Sequence, residues 1–134
     1  MDGMMSTQSQ EIHQINVQSM EVTGVVAVGA DSPHGIALSS DGTTLWVASF
    51  VASQIFKIET AQFGNNIYTP ENFPLYEDAP PPHINDLGSY NALEIELSHD
   101  DSKLYVSCSA AMQVRVFDTE TGDSLATIMT GIMP

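Results

Sequence analysis

Positive charge is what this sequence has least of. Lys57, Lys103 and Arg115 are its three basic residues against 17 acidic ones, a formal net charge of −14 over 134 residues. Nucleic acid is excluded as a partner, because phosphate binding needs clustered Lys and Arg to displace counterions. Anionic membrane surfaces are disfavoured for the same reason. Cysteine is nearly missing as well. Cys108 stands alone, which rules out an intrachain disulfide and a cysteine-based zinc cluster. The opening "MDGMMSTQSQ" has neither the basic nor the apolar region of a signal peptide, and no apolar run is long enough to span a bilayer. As written, the sequence reads as a soluble chain without membrane insertion. Nucleophile elbow, P-loop and dinucleotide fingerprint are all lacking.

What is present is enough apolar material to fold. Hydrophobic residues make up 43% of the chain and charged ones only 15%, so disorder by composition is confined to the ends. The length allows one domain with one core. The excess carboxylates read as a solubilising surface for a sheet protein, with cation binding as the alternative.

The organisation lies in a repeat. "GIALSSDGTTLWVASFVASQIFKIET" (35–60) lies over "EIELSHDDSKLYVSCSAAMQVRVFDT" (94–119) without a gap. Leu38 meets Leu97, Asp41 meets Asp100, Leu45 meets Leu104, Val47 meets Val106 and Thr60 meets Thr119, at a constant offset of 59. Trp46 with Tyr105 and Ile55 with Val114 keep size and polarity. In each copy a polar turn precedes an alternating apolar run, the grammar of strands joined by tight turns. Strands are expected at 35–39, 44–49 and 54–59, again at 94–98, 103–108 and 113–118, and a further one in "SLATIMT". A weaker third copy, "IHQINVQSMEVTGVVAVG" (12–29), lies over "VRVFDTETGDSLATIMTG" (114–131), with Ile12 on Val114, Ile15 on Phe117 and Val26 on Ile128.

Four-stranded units of about 40–45 residues with this pattern are the mark of propeller blades. "PHGIALSSDGTTLWVAS" followed by "QIFKIET", and "LEIELSHDDSKLYVSC" followed by "QVRVFDTETGDSLATIMTG", resemble the YVTN-type β-propeller repeat of bacterial and archaeal proteins, the YncE-like or cytochrome d1-like kind. The resemblance implies an all-β fold of four-stranded antiparallel blades, here a partial propeller. Residues 1–11 are expected to be a disordered segment, 12–32 a half blade, 33–89 a blade carrying an insert at 61–89, and 90–134 a second blade. Two and a half blades cannot close a ring. The chain is therefore expected to be a fragment of a larger propeller, completed by the remaining blades of a longer chain or by self-association. The resemblance further implies an exported, periplasmic or extracellular protein. Its function is expected to be non-enzymatic binding of a small ligand or a protein, with a lactonase-like or haem-d1-like fragment as the alternative.

In such a fold the loops entering the inner strands and the loops between second and third strands share one face. Pro33, His34 and Gly35 are expected there with "FVAS" (50–53) and "SAAM" (109–112), and the Asp41-Gly42 and Asp100-Asp101 turns on the opposite face. His34 is the leading candidate for ligand binding. His83, in "PPPHIND", is placed at the corresponding entry of the next blade. Two imidazoles at one mouth suit a metal or an axial cofactor contact, yet no metal-ligand spacing recurs, so the sequence specifies no cofactor, no metal and no catalytic residue. His13 and His99 have less context. "YEDAPPPHIND" lacks the alternating carboxylates and Gly of a calcium loop and reads as a solvated excursion. Its neighbours Phe63, Tyr68, Phe73 and Tyr76 suggest that part of the insert packs down. Cys108 reads as a buried filler rather than an activated thiolate. Trp46, Tyr105, Phe56 and Phe117 are expected to pack the blades together, the two sheets meeting through Trp46 and Tyr105 or their neighbours.

Overall fold

The computed structural model describes residues 10–29, 32–50, 53–75 and 90–131. Its regular structure is strand throughout apart from one 3₁₀ turn at Thr60–Gln62. The strands are β1 (Glu11–Asn16), β2 (Glu21–Ala27), β3 (Pro33–Leu38), β4 (Thr44–Ser49), β5 (Gln54–Glu59), β6 (Glu71–Pro74), β7 (Ala92–Leu97), β8 (Lys103–Cys108), β9 (Gln113–Asp118) and β10 (Ser124–Met129). They form a two-stranded sheet β1-β2 and two four-stranded antiparallel sheets, β3-β4-β5-β6 and β7-β8-β9-β10. These are blades of a partial β-propeller.

The repeat seen in the sequence is a repeat of register. Ile36 pairs with Val47 and Leu38 with Leu45, as Ile95 pairs with Val106 and Leu97 with Leu104. Both inner strands start earlier than their alternation suggests, at Pro33 and Ala92, because an irregularity separates the first pair from the rest. An extra residue there shifts the period-2 pattern that marks a strand. The weak third copy is equally faithful. Ile12 pairs with Val26 and Ile15 with Val22, as Val114 pairs with Ile128 and Phe117 with Ser124. The register breaks at the same place in both ladders. β1 and β2 thus correspond to the third and fourth strands of a blade.

Part of the segment expected as an insert, 61–89, packs down as its aromatics suggested and joins the sheet; the stretch expected as a solvated excursion, 76–86, lies outside the described residues, and Tyr76 with it. β6 belongs to the part that packs down and completes the sheet by pairing with β5, Phe73 opposite Ile55. Leu75 follows, fully buried. Phe63, Tyr68 and Phe73 pack onto the core, as their aromatic character suggested. Sequence reading missed β6 because only four residues pair, Pro70 precedes the run and Pro74 ends it, and it starts 12 residues after β5 ends, whereas β10 follows β9 after a short Gly turn.

Two apolar layers hold the blades together. In the first, Ala37, Trp46, Ala48 and Ile55 of one blade cluster with Ile95, Leu104, Val106 and Cys108 of the next. In the second, Leu45, Val47, Phe56 and Ile58, on the other face of the first blade, cluster with Val26 and Val28 beside β2. The first four-stranded sheet therefore presents one face to the β1-β2 unit before it and the other to the blade after it. This corrects one expectation. Trp46 is 3% exposed and packs between the blades, but Tyr105 is 37% exposed and does not. The two occupy equivalent positions, so they point the same way along the array and cannot face each other.

Gly35 sets how closely the inner strands approach. A Cβ built there would lie 2.6 Å from the Leu93 carbonyl oxygen and 2.9 Å from Glu94 Cα. Only glycine leaves room for β3 to lie against β7 at this distance.

Candidate functional site

The two ends of the blades are built from different chemistry. At one end the turns between first and second strands are closed by an acidic side chain. Asp41 Oδ1 accepts from Ser39 Oγ at 2.7 Å, Thr43 Oγ1 at 2.8 Å and Thr43 N–H at 3.0 Å. Asp100 repeats the arrangement with Ser98 Oγ, Ser102 Oγ and Ser102 N–H. Thr60 and Thr119 then donate their hydroxyls to the Gly42 and Asp101 carbonyls. Hydrogen bonds to the charged form favour it. The N–H of Thr43 and the hydroxyls around Asp41 bring its pKa from 3.8 down to about 2, and those around Asp100 shift it in the same direction. The turns also link neighbouring blades, since Ser40 donates both its N–H and its hydroxyl to Asp101 Oδ2. These carboxylates are structural acceptors, and the turns lie at the end where they were expected.

The opposite end carries His34. Its Nδ1 lies 3.0 Å from the Leu93 carbonyl oxygen. A carbonyl can only accept, so Nδ1 carries the proton and the neutral ring presents an unprotonated Nε2. Glu94 Oε1 is 3.9 Å from the same Nδ1 and forms an ion pair when the ring is protonated. The Phe50 ring tilts against the imidazole at 6.1 Å. His34 is exposed, with 48% of its side chain accessible. Imidazole, carboxylate and aromatic ring, drawn from both blades, thus form one open surface.

The loops beneath it are matched. Phe50 N–H donates to the Ser32 carbonyl and Ser109 N–H to that of Asn91, while Leu75 N–H reaches Ser53 and Thr130 N–H reaches Met112. Sequence analysis correctly put His34 and the 109–112 loop at one end. His83, expected beside His34, lies outside the described residues. His13 sits beside Glu11 at 3.1 Å on β1, and His99 is exposed in the Asp100 turn. Among the described residues, no group of three or more His, Cys, Asp or Glu side chains is arranged to hold a metal ion.

Cys108 is the buried filler that was expected, and Arg115 acquires a role the sequence did not announce. Cys108 is buried, and loss of solvation pushes its thiol up to about 12, leaving no nucleophilic thiolate at neutral pH. Arg115 is drawn into the layer between blades. Its guanidinium donates to the Leu75 carbonyl at 2.6 Å and to Ser124 Oγ at 3.0 Å, and it lies over the Tyr90 and Phe117 rings. The one buried side-chain nitrogen or oxygen without a partner among the described residues is Arg115 Nε.

No protein-family model matches the sequence, and no curated protein is similar to it. Solved structures are. Hydrazine synthase of Kuenenia stuttgartiensis superposes with a TM-score of 0.73 at 20% identity over 93% of this chain. A functionally unknown protein from Desulfotomaculum acetoxidans DSM 771 superposes with a TM-score of 0.62 at 15% identity over 90% of it. This chain spans about a third of each, 31% and 33% respectively. Such identities establish a shared fold and no more. That 207 solved chains are similar makes the same point, because an architecture so widely reused cannot select one activity.

Proposed function

We propose that this chain is a non-enzymatic binding module of the YVTN type, part of a larger exported propeller, whose binding surface is the face carrying His34. The observation that carries the reading is the division of labour between the two ends. At the other end and in the core, ionisable groups are committed to the fold: Asp41 and Asp100 brace turns, and Cys108 fills the core. His34 and Glu94 are exposed on one surface fed by both blades, with the Phe50 ring tilted against the imidazole. Rigid strands displaying variable loops are the ordinary way a repeat array presents a recognition surface. The partner is a small ligand or a protein, and the periplasm or cell exterior is the compartment the YVTN resemblance favours.

The alternative is a piece of a propeller enzyme or redox protein, lactonase-like or haem-d1-like. It draws on one fact, the half-exposed imidazole of His34, whose bond to the Leu93 carbonyl is made through Nδ1 and leaves Nε2 as the nitrogen for a metal or a cofactor. Titration of the chain with Zn²⁺, Cu²⁺ and haem separates the two. The binding-module reading expects no stoichiometric, submicromolar, His34-dependent signal, and expects His34→Ala to leave the melting temperature unchanged. A tight signal lost in His34→Ala, or turnover of simple lactones by the chain, replaces this reading with the alternative.

A further inference from the structure

Equivalent positions of a repeat are expected to be equally buried, and the inner strands β3 and β7 break that rule sharply. Ile95 is 3% exposed, whereas its counterpart Ile36 is 57% exposed. Leu97 packs against the core, whereas its counterpart Leu38 is 56% exposed. The difference lies in what covers them. Ile95 is covered by the inner strands β3 and β4, which bring Ala37, Trp46 and Ala48 into the same cluster. Among the described residues the corresponding face of β3 meets only a two-stranded sheet, which reaches Leu45, Val47, Phe56 and Ile58 and stops short of the inner half.

A groove of about 440 Å³ results, lined by Ile12, His13, Ile36, Leu38, Leu45 and Phe63. One wall is β1. Among the described residues β1 pairs with β2 alone, so its other edge offers a row of backbone donors and acceptors to a further strand.

We propose that this groove binds a two-stranded β-hairpin with the chemistry of this chain's own inner hairpins: a bulky aromatic flanked by small residues on one face, and a glycine where its first strand crosses β3. The interface between the two blades defines that chemistry, and the groove continues the interface already formed by β2. Transferring the pairing of β4 with β5 fixes the register. β1 corresponds to β5, so the second strand of the hairpin runs antiparallel to β1, with the residue equivalent to Trp46 opposite Gln14 and the residue equivalent to Ser49 opposite Glu11. Its aromatic ring then covers Ile36, Leu38 and Leu45, as Trp46 covers the equivalent residues of the next blade. The glycine requirement follows from Gly35, whose absent Cβ admits the Leu93 carbonyl. Main-chain pairing gives such strand addition its affinity and alternate side chains give it selectivity. A whole second copy of this chain is not the occupant, because the matching face of its Pro33–Ser49 hairpin is already buried against β7 and β8. The inference does not depend on the reading of the His34 face.

A fluorescein-labelled peptide of residues 33–49 titrated into the full chain tests this, with hydrogen exchange read on the complex. Expected are saturable one-to-one binding, slowed exchange of β1 amides, and weakening of roughly tenfold or more for peptides carrying Trp46→Ala or Gly35→Ala. The protein variant Ile36→Asp/Leu38→Asp should lose binding. Both side chains are exposed, so its circular dichroism and melting temperature should match those of the parent chain. Several results overturn the proposal: no saturation up to about 1 mM peptide, equal binding of the variant peptides, or protection of β10 instead of β1. An Ile36-dependent dimer in sedimentation without peptide would show that a second copy fills the groove. If the double variant fails to fold, the exchange pattern and the two peptide variants on the parent chain still decide.

Discussion

At the scale of single residues, backbone conformation is repeated more strictly than residue type. Ser32 and Asn91, Ser53 and Met112, Gly42 and Asp101, and Met20 and Gly122 are equivalent pairs, and all eight have positive φ. A positive φ strains a non-glycine residue by of order 1–3 kcal/mol and persists only where its surroundings over-determine it. The hydrogen-bonded loops under His34 and the Asp-braced turns supply that. Asn16 likewise stands in for Asp118: Gln18 and Ser19 donate to its Oδ1 as Glu120 and Thr121 do to that of Asp118. The repeat alignment sets most of these positions against one another, but their shared positive φ was not legible in the sequence, because a left-handed Met or Ser carries no compositional mark. The braced turns have a pH consequence. Asp41 titrates near 2 in the folded chain against 3.8 ordinarily, and Asp100 and Asp118 are lowered in the same sense. A depressed folded pKa contributes stability that is present above the ordinary value and lost as pH falls towards the depressed one. The melting temperature should therefore hold from neutrality down to about pH 4 and then fall steadily to about pH 2. In Asp41→Asn/Asp100→Asn that acid limb should be shallower, since an amide oxygen still accepts but does not titrate. A limb of unchanged slope would show that other groups drive acid unfolding.

At the scale of elements, burial follows position in the array rather than residue type. Trp46 and Tyr105 share a place in their blades, but only Trp46 has a following blade against it. Trp46→Ala should destabilise the chain by about 3–5 kcal/mol, the usual range for a large aromatic lost from a packed core. Tyr105→Ala should shift stability by under about 1 kcal/mol. Urea titration of the two variants reads this directly, and similar losses would mean that Tyr105 is buried in solution. The strands themselves were largely readable from alternation. β6 was not, since four pairing residues, preceded by Pro70 and ending in Pro74, carry too little pattern.

At the scale of the molecule, the described residues leave apolar side chains exposed at both ends of the array, Ile36 and Leu38 at one and Leu125, Ile128 and Met129 of β10 at the other. β10 is also an edge strand, pairing among the described residues only with β9, and an apolar edge invites strand pairing between chains. The net charge of −14 opposes that association until salt screens it. Sedimentation should show self-association that grows as salt rises from about 0.02 to 0.5 M. Ile128→Lys should suppress it and Ile36→Asp should not. A strictly monomeric chain at high salt would contradict this.

The sequence by itself determined the repeat, the all-β class, the blade unit and the end of the blades at which His34 lies. Each is a local matter, since alternation and turn residues act within one hairpin. Tertiary structure decided which face of each sheet is covered, that β6 closes the first blade, that Arg115 is drawn between blades and that Ile36 and Leu38 border an open groove. These outcomes depend on what lies across an interface. A period-2 pattern states that a face is apolar, but only the neighbouring sheet settles whether anything covers it.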